Sequence, residues 1–392
     1  MPQAPRADAG VPLLFYADGY KFPDVFHLTR FLSPDPIIAL EDGKEIVVVA
    51  NSLEEGRVRK QSRATSVFNI DAFGAKEFSA KGISREELDA NVIARFLASR
   101  GTKKVAVAGY FPLGMAERLR GLGIEVEVAD LGERRRAKRP DEIEALDAAQ
   151  RATEDAWAKG VDALKRTTAG KDKVLHLDGA PFTAERLRAI VEGRLLALGY
   201  ASDGAIIAPG PQAADPHMIG TGPIHQGEPV VMDIFPQHKT TRYWADMTRT
   251  VSKGEPSAEF VKMYEVVKRA QDAGIRALRP GVTGRSIHEM VEDIIFAAGY
   301  DTLRPGQQHG SHANGALPKG FIHGLGHGVG LEIHEAPSVG RGGRSPLMVG
   351  DVVTVEPGVY DPEIGGVRLE DMLVITETGS RNLTRAPRQL IV

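Results

Sequence analysis

The sequence predicts a two-domain protein, in which a small α/β domain precedes a larger α+β domain. The chain has 392 residues, which suffices for two domains at roughly 150 residues each. In its first part, short runs rich in β-branched residues alternate with helical patterns, as is typical of a small sheet covered by helices. In its second part, helices come in pairs and strand-like runs come in pairs. This pairing suggests that the second domain contains two similar halves.

The composition is that of an ordinary globular protein and excludes several functional classes. Hydrophobic residues make up 42% of the chain and charged residues 26%, and the net charge of -3 gives no basic surface for nucleic acid. The chain has no cysteine, which excludes disulfides, thiolate nucleophiles and zinc–thiolate sites. No run approaches the ~18 apolar residues that span a bilayer, and the N-terminus does not resemble a signal peptide. We therefore expect a cytoplasmic protein with no membrane partner.

The first domain, residues 1–138, is predicted from its order of strands and helices. Strands are expected at residues 36–40 and 45–50, and a helix over 86–99. Next come a buried strand, KKVAVAG, a helix over 113–122 and a last strand, IEVEVADL. A basic segment, Arg134 to Arg139, lies at the boundary of this domain and is predicted to be a solvated linker, with a binding patch for acidic ligands as the alternative.

An aromatic-rich segment lies near the N-terminus of this domain. It reads FYADGYKFPDVFHLTRFL, in a chain with only 6% aromatic residues. These side chains are expected to fill the core of the small domain. Alternatively, part of the segment faces a second subunit, because aromatic residues are enriched at the cores of protein interfaces.

The second domain, residues 139–392, is predicted from four helical patterns and four strand-like runs. Pro140 suits the first turn of the first helix, and Ser286 with Glu289 is predicted to cap the last helix. The helices are expected over residues 141–166, 183–198, 257–278 and 286–298. The strand-like runs are VVMDIF, YWADMTRTV, DVVTVE and GGVRLEDMLVIT.

Histidines crowd one glycine-rich stretch of the second domain. Five of the eleven histidines lie between residues 309 and 334, and three of them, His323, His327 and His334, lie in FIHGLGHGVGLEIHEAP. The four-residue step from His323 to His327 is similar to a helical zinc pair. However, the Gly-Leu-Gly between them argues against a helix, and the adjacent glutamate of such a pair is missing. The stretch therefore predicts a loop that brings imidazoles and backbone close to a ligand.

Four carboxylates interrupt the apolar runs of this domain. They are Asp233 in VVMDIF, Asp246 in YWADMTRTV, Glu356 at the end of DVVTVE and Glu370 in GVRLEDMLVI. Each alone is typical of an edge strand or the surface, but together they indicate a site. Buried carboxylates need partners, and divalent cations are the natural ones. Four carboxylates balance two divalent ions, and oxygen ligands with one imidazole favour Mn²⁺, with Co²⁺ or Zn²⁺ as alternatives.

These motifs resemble those of the pita-bread metallopeptidases, the family of prolidase, aminopeptidase P and methionine aminopeptidase. The resemblance is strong over residues 140–392 and weak before them. It implies a creatinase-N-like α/β domain over residues 1–138, followed by a pita-bread catalytic domain over residues 139–392. The five matching ligands are Asp233 after VVM, Asp246 in A-D-M-T-R-T, His327 in H-G-L-G-H-G, Glu356 in T-V-E-P-G and Glu370 in G-V-R-L-E-D.

The resemblance also implies how two metal ions are held. Asp246 and Glu370 would bridge the ions, Asp233 would chelate one, and His327 with Glu356 would bind the other. A water or hydroxide between the ions would be the nucleophile. Glu356 is implied as the proton acceptor that passes a proton toward the leaving amine.

Four further residues are implied to contact the substrate. His217 resembles the upstream substrate histidine, with His225 as a nearer competitor in a turn-like, exposed segment. His334 resembles the histidine that stabilises the tetrahedral intermediate. The proline ring and its carboxylate would be lined by His323 and Arg368.

One departure concerns the hairpin between the two aspartates. Residues 234–245 separate Asp233 from Asp246, two residues more than this family usually has, and its tip reads PQHKTT. An even insertion leaves both aspartates on one face of the paired strands. The resemblance does not imply whether the hairpin tip contacts the substrate.

The resemblance implies an exopeptidase that hydrolyses the Xaa-Pro bond of dipeptides or of peptide N-termini. The extra domain and the prolidase-like histidine stretch favour this activity over that of methionine aminopeptidase, and creatinase lacks the ligand set. The alternatives are a non-catalytic binding or scaffold protein and an aminopeptidase without proline specificity. The expected partners are a proline-containing peptide and a second copy of the chain, with residues 1–138 restricting access to the metals.

Overall fold

The structure is a computed structural model and describes residues 10–202, 204–307 and 319–392. Its packing divides the chain into two compact units, Met1–Arg135 and Arg136–Val392. The domain boundary predicted from the sequence, at residue 138, lies slightly farther along the chain.

The first unit is built on a six-stranded mixed sheet with helices around it. Its strands are β1 (Leu13–Ala17), β2 (Ile37–Asp42), β3 (Glu45–Ala50), β4 (Ser66–Asn69), β5 (Lys104–Ala108) and β6 (Glu125–Ala129). Its helices are α1 (Pro23–Thr29), α2 (Glu55–Gln61), α3 (Ala75–Ala80), α4 (Arg85–Ser99) and α5 (Leu113–Gly121). The strands lie in the order β4-β3-β2-β1-β5-β6. The β1–β2 and β2–β3 pairs are antiparallel and the other pairs are parallel, which confirms the predicted α/β class.

Alternation along β3 explains why this sheet has a hydrophobic layer on each face. Successive side chains of a strand point to opposite faces. Val47 and Val49 therefore pack on one face, in the cluster that contains Phe96 of α4. Val48 packs on the other face, in the cluster that contains Phe31. Both faces of the sheet are covered within this unit.

The aromatic-rich segment near the N-terminus largely belongs to this core. Phe15, Phe26 and Phe31 are 1%, 5% and 0% exposed, whereas Tyr20 is 45% exposed. The core interpretation is confirmed for the three phenylalanines. The interface interpretation stays a prediction.

The basic segment that precedes the second unit's first helix is not the solvated linker that the sequence predicts. Arg136 is buried, and its guanidinium forms a bidentate ion pair with Asp351 at 2.9 and 2.6 Å. Lys138 is also buried, and its Nζ lies 2.6 Å from a carboxylate oxygen of Glu335. The prediction was wrong because a cation is buried where a buried carboxylate meets it, and both carboxylates lie about 200 residues farther along the chain.

The second unit contains two helix pairs. Its helices are α6 (Pro140–Lys165), α7 (Ala184–Ala197), α8 (Ala258–Ala277) and α9 (Gly284–Ala297). These confirm the four helices predicted from the sequence. The α6 and α7 helices pack on each other, as do α8 and α9.

The cap of α9 differs from the predicted one. The helix begins at Gly284, and the Thr283 side chain accepts the backbone N–H of Ser286 at 3.2 Å. Ser286 therefore lies inside the first turn and is not the capping residue. The capping box predicted for Ser286 and Glu289 was wrong because a threonine three residues earlier accepts the same kind of orphan N–H.

Antiparallel strands lie beside these helices. They are β7 (Thr168–Ala169), β8 (Leu175–Leu177), β9 (Ala180–Pro181), β10 (Tyr200–Ala201), β11 (Ile206–Pro209), β12 (Pro229–Ile234), β13 (Gln237–His238), β14 (Met247–Ser252), β15 (Gly326–Gly328), β16 (Glu335–Val339), β17 (Val352–Val355), β18 (Gly358–Asp361), β19 (Gly365–Arg368), β20 (Asp371–Ile375) and β21 (Ser380–Asn382). Two of the sheets that they form have the orders β11-β12-β14 and β16-β15-β17-β20-β21. One hydrophobic cluster joins α6 and α7 to the smaller sheet, and another joins α8 and α9 to the larger. Each helix pair thus covers one sheet.

Within the described ranges, no helix is both long and apolar enough to cross a membrane.

Candidate metal centre and active site

The register of one strand pair places the two aspartates on the same face. The β12 and β14 strands are antiparallel, and Asp233 lies opposite Thr248. Asp246 directly precedes β14, two residues before Thr248. Because side chains alternate along a strand, Asp246 lies on the face that carries Thr248 and Asp233. The longer hairpin keeps both carboxylates on one side, as its even length predicts.

The extra length of the hairpin is used away from the aspartates. Within it, β13 pairs with β10, and the backbone N–H of His238 donates to the carbonyl of Tyr243 at 3.0 Å. Arg242 completes the tip in a left-handed conformation, with φ of 62°. Among the described residues that line the cavity, none comes from 236–245.

The two glutamates and the histidine come from the ends of neighbouring strands. Glu370 lies between β19 and β20; its backbone N–H donates to the Thr248 carbonyl, and the Thr248 hydroxyl donates to its carboxylate at 2.8 Å. Glu356 directly follows β17, and its N–H donates to the Leu325 carbonyl at 2.8 Å. His327 lies in β15, which pairs with β17. Three separate backbone connections thus fix the positions of these side chains.

Four of the five predicted ligands lie close together. One ligand atom each from Asp246, His327 and Glu370 lies within 4.8 Å of the other two. The Nε2 atom of His327 is 3.5 Å from Asp246 Oδ2 and 3.4 Å from Glu356 Oε1. A set of carboxylates with one imidazole can hold hard or borderline divalent cations.

The carboxylates of this cluster resist ionisation without cations. Burial raises the pKa of Asp246 well above its usual range, and the charges of Glu370 and Asp233 raise it further. Burial and the charges of Glu356 and Asp233 do the same to the pKa of Glu370. Burial, followed by the charge of Asp246, raises the pKa of Glu356 to about 8. Cations would relieve both causes, because they neutralise the charges that burial and repulsion disfavour.

The histidines of the cavity favour the neutral form. Burial lowers the pKa of His327 to about 4, and the neighbouring His334 adds to the effect. Burial also lowers the pKa of His323 to about 3, with a further contribution from Arg368. Burial lowers the pKa of His334 as well. Neutral imidazole is the form that ligates a metal.

The Arg368 guanidinium is buried and donates to four protein oxygens. Its Nη2 lies 2.6 Å from Asp233 Oδ2, and its Nη1 donates to the Tyr360 hydroxyl at 2.9 Å. It also contacts the Thr248 hydroxyl and the Pro216 carbonyl, each at 3.3 Å. Arg368 therefore holds Asp233 in place and offsets one of the four negative charges.

Arg249, in the A-D-M-T-R-T motif, stabilises the backbone next to the predicted ligands. It is buried, and its guanidinium donates to the carbonyls of Thr248 and Glu370 at 2.9 and 2.7 Å. It also donates to the Asp371 carboxylate at 2.8 Å and to two carbonyls of the C-terminal segment, Ala386 and Pro387. Arg249 thus ties β14 to the backbone of a predicted metal ligand.

All nine site residues predicted from the sequence line one cavity of about 550 Å³. They are Asp233, Asp246, His327, Glu356, Glu370, His217, His323, His334 and Arg368. The competitor His225 does not line it and instead contacts Glu228 at 3.1 Å. Two histidines of the crowded stretch, His309 and His312, lie outside the described residues.

Sequence reasoning missed several residues of the site. Tyr360 accepts from Arg368 and lies 2.9 Å from His323 Nε2, so it links two residues predicted for the proline pocket. Thr248 could have been found, because it follows Asp246 by two residues and so shares its face. The apolar wall has no local sequence signal; it consists of Ile206, Pro216, Phe235, Ile322 and Ile333.

The residues present fit divalent metal ions. Asp233 Oδ1 is buried and has no hydrogen-bond partner among the described residues. An acceptor in this position is costly unless a cation or donor meets it. Together with the raised pKa values of Glu356, Asp246 and Glu370, this orphaned oxygen indicates a site built for positive charge.

Comparison with known proteins shows which family the sequence matches. Residues 144–377, more than half of the chain, match the sequence pattern of metallopeptidase family M24. Among curated relatives, the Xaa-Pro dipeptidase of Pyrococcus furiosus is 37% identical over 187 residues, 47% of this chain and 48% of that protein. The Xaa-Pro dipeptidase of Lactobacillus helveticus is 31% identical over 254 residues, 64% of this chain and 61% of that protein. The match to the first of these relatives spans about half of its length.

Solved structures match over nearly the whole chain. The prolidase from Pyrococcus horikoshii is 26% identical, with a TM-score of 0.75, and the match covers 98% of this chain and 96% of that one. The X-Pro aminopeptidase from Thermotoga maritima is 24% identical, with a TM-score of 0.77 and 98% of both chains covered. The latter likeness shows the fold alone. These matches confirm the predicted two-domain pita-bread fold.

Proposed function

The chain belongs to metallopeptidase family M24, and we propose that it is an exopeptidase that hydrolyses the Xaa-Pro bond of dipeptides or of peptide N-termini. One observation carries the proposal. Five potential metal ligands, three histidines and Arg368 line a single cavity. The names of relatives point the same way, since Xaa-Pro dipeptidases and a prolidase are among them.

We propose that two divalent ions are held by Asp233, Asp246, His327, Glu356 and Glu370. Asp246 and Glu370, the proposed bridging ligands, are the most deeply buried of the five, as would suit ligands that both ions share. Ions held there would supply Lewis-acid chemistry, which activates a carbonyl and makes water acidic enough to act as a nucleophile at neutral pH. Mn²⁺ is favoured, with Co²⁺ or Zn²⁺ as alternatives.

Glu356 is the proposed proton carrier. It lies beside His327 at the edge of the ligand cluster, and its side chain is 17% exposed, so a proton can reach it from the substrate side. Cations beside it would lower its pKa from about 8, which leaves the carboxylate ready to accept a proton from water. Returning that proton to the leaving imino nitrogen of proline completes the transfer.

The histidines are proposed to hold the substrate. His334 and His217 are exposed at the cavity, where an imidazole can donate to an oxygen of the peptide or of the tetrahedral intermediate. His323 is fixed by the Tyr360 hydroxyl and by the Gly324 carbonyl. The apolar wall completes a pocket suited to the proline ring. Arg368 lines this pocket while its guanidinium is engaged by Asp233 and Tyr360.

The test of proline specificity uses matched peptides and the Mn²⁺-loaded protein. A Leu-Pro dipeptide, a Leu-Pro-Gly tripeptide and their Leu-Ala counterparts should be compared by kcat/KM. We expect both proline peptides to be cleaved and both alanine peptides to be cleaved far more slowly, because the pocket is shaped for a ring. The ratio of dipeptide to tripeptide rates then assigns the length preference.

Two results would contradict the proposal. Equal kcat/KM for proline and alanine peptides would show an aminopeptidase without proline specificity. Failure to cleave any Xaa-Pro peptide with Mn²⁺, Co²⁺ or Zn²⁺ would favour a binding or scaffold role. The homodimer, the restriction of access by residues 1–138 and the cytoplasmic location stay predictions.

A further inference from the structure

His334, one of the histidines that line the cavity, lies in a short turn between β15 and β16. Residues 329–334 form this turn, and the His334 ring stands almost perpendicular to the ring of His327, with 4.3 Å between ring centroids. His334 is exposed to the cavity. Its position therefore depends on whatever holds the turn.

Trp244 of the hairpin holds the first half of the turn through two hydrogen bonds. The backbone N–H of Trp244 donates to the Gly330 carbonyl at 2.9 Å, and its indole N–H donates to the Leu331 carbonyl at 3.1 Å. These bonds fix the first half of the turn but not the half that carries His334.

The second half of the turn is held by a buried carboxylate. Glu335 follows His334 directly and pairs across the ladder with Gly328, next to His327. One Glu335 oxygen accepts the backbone N–H of Glu332 at 3.3 Å. A Cβ atom at Gly330 would collide with this carboxylate, so the turn closes tightly over it.

The Glu335 carboxylate is matched by Lys138. The two charged atoms lie 2.6 Å apart, and the side chains are only 4% and 2% exposed. The Lys138 backbone is itself anchored, because its N–H donates to the Gly350 carbonyl at 3.1 Å. A buried ion pair contributes little net stability, but removing one partner strands the other charge. Such a pair fixes geometry more than it stabilises the fold.

We propose that the Lys138–Glu335 ion pair is a positioning pair for His334, so that the residues just before α6 set the rate of the reaction. The proposal rests on the proposed function, in which His334 stabilises the tetrahedral intermediate. An imidazole that acts on the intermediate affects kcat more than KM. Disturbing the pair should therefore lower kcat while substrate binding is retained.

The decisive variant is Lys138→Met combined with Glu335→Gln in the full chain. Removing both charges leaves no stranded ion, so this variant should fold even if Lys138→Met alone does not. With Mn²⁺ and an Xaa-Pro dipeptide, we expect kcat to fall by ~10–100-fold, as for residues that orient the groups of a metal site. KM and the metal content should stay within about twofold of the unmodified protein.

A double-mutant cycle separates positioning from a general loss of structure. His334→Ala should lower kcat by ~10²-fold or more. Adding the double substitution to His334→Ala should then cost little further activity, because both changes remove the same function. A purely structural role would make the losses additive, and additive losses would overturn the proposal, as would an unchanged kcat in the double variant.

Arg135→Met is the matched control. Arg135 also forms a mostly buried ion pair, with Asp24 at 2.5 Å, but in the unit that carries none of the proposed ligands. We expect it to lower Tm and leave kcat unchanged. A fall in kcat equal to that of the double variant would show that any lost ion pair has this effect.

A crystal structure of the double variant tests the proposal without activity. If the unmodified protein cleaves no Xaa-Pro peptide, the proposed function fails, and this measurement still decides the geometry. Displacement of the His334 ring from its 4.3 Å contact with His327 would support the positioning pair. An unmoved ring would overturn it.

Discussion

At the scale of single residues, the site is defined by charges that the fold alone does not neutralise. Asp246 and Glu370 are both buried, and the charge of Glu370 raises the cost of ionising Asp246. Arg368 forms a direct ion pair with Asp233, but it is one positive charge beside four carboxylates. Binding of metal ions and protonation of the carboxylates are therefore alternative ways to stabilise the same cluster.

The first prediction is a stability of the metal-free protein that falls as pH rises from about 6.5 to 8. Burial raises the pKa of Glu356 from 4.5 to about 8, so its contribution to stability is complete below about 4.5 and is lost as pH rises through about 8. The buried His327, with a pKa lowered from 6.5 to about 4, acts oppositely, but its contribution is complete above about 6.5. Measurements of Tm against pH in EDTA check the prediction.

Added Mn²⁺ should reverse this trend, since metal binding displaces fewer protons at higher pH. Glu356→Gln, which cannot titrate, should flatten the slope in EDTA. A Tm that rises between pH 6.5 and 8 without metal would contradict the assigned direction.

The second prediction concerns the number of metal ions. Elemental analysis after reconstitution should find about two ions per chain, and Glu370→Ala should lose at least one, because a bridging ligand serves both. Glu363→Ala is the control, since this carboxylate is 82% exposed on a nearby turn. Two retained ions with full activity in Glu370→Ala would refute the ligand assignment.

At the scale of elements, strand ends and a buried arginine supply the framework of the site. The β12–β14 register places two carboxylates on one face, and Arg249 connects β14 to the backbone of Glu370. The five N–H groups of the Arg249 guanidinium donate to five different oxygen atoms. A lysine has three donors on a point charge and could not meet the same set.

The third prediction tests the corrected cap of α9. Thr283→Ala should destabilise the protein by ~1 kcal/mol, because it leaves a first-turn N–H without its acceptor. Ser286→Ala should cost clearly less, since the Ser286 hydroxyl donates to the Thr283 carbonyl and caps no N–H. Urea denaturation of both variants provides the comparison, and a larger loss for Ser286→Ala would restore the cap predicted from the sequence.

The sequence predicts elements and ligand types well where the signal is local. Helices α6 to α9 follow from spacing, and the placement of Asp233 and Asp246 follows from the period of two along a strand. The burial of Arg136 and Lys138 could not be predicted, because their partners Asp351 and Glu335 are 215 and 197 residues away in sequence. A local charge pattern contains no information about such partners.

At the scale of the whole molecule, the boundary between the two units determines which fragments can fold. Arg136 and Lys138 precede α6 yet form buried ion pairs within the second unit. The fourth prediction is that a fragment of residues 136–392 is more stable than one of residues 139–392. The shorter fragment strands two buried carboxylates, and each stranded charge costs several kcal/mol, roughly 3–5.

Thermal denaturation of the two fragments at equal metal concentration makes the comparison. Equal Tm values would show that leaving Asp351 and Glu335 without their cations costs the unit no stability. A full-length chain run alongside sets the reference for both.

The fifth prediction is a homodimer. The core positions of Phe15, Phe26 and Phe31 leave Tyr20 as the exposed member of this group, so any interface in the aromatic segment should include it. Light scattering at micromolar concentration should give twice the mass of the 42.3 kDa chain. A clean monomer would refute the dimer. Tyr20→Ala, and Tyr110→Ala at a second exposed aromatic residue, test whether this surface forms the interface.

The hairpin between the aspartates has a practical consequence for protein engineering. Its tip, near Lys239 and Thr240, is exposed, while the register of β12 and β14 fixes the aspartates at its base. Since a strand repeats every two residues, an epitope or fluorophore-binding peptide of even length could be spliced into the tip without turning either carboxylate away from the cavity. An odd-length graft that extends the strand pairing would turn the side chains of one strand to the other face and should inactivate the protein. Comparing grafts of odd and even length would therefore report how far the paired strands extend toward the tip.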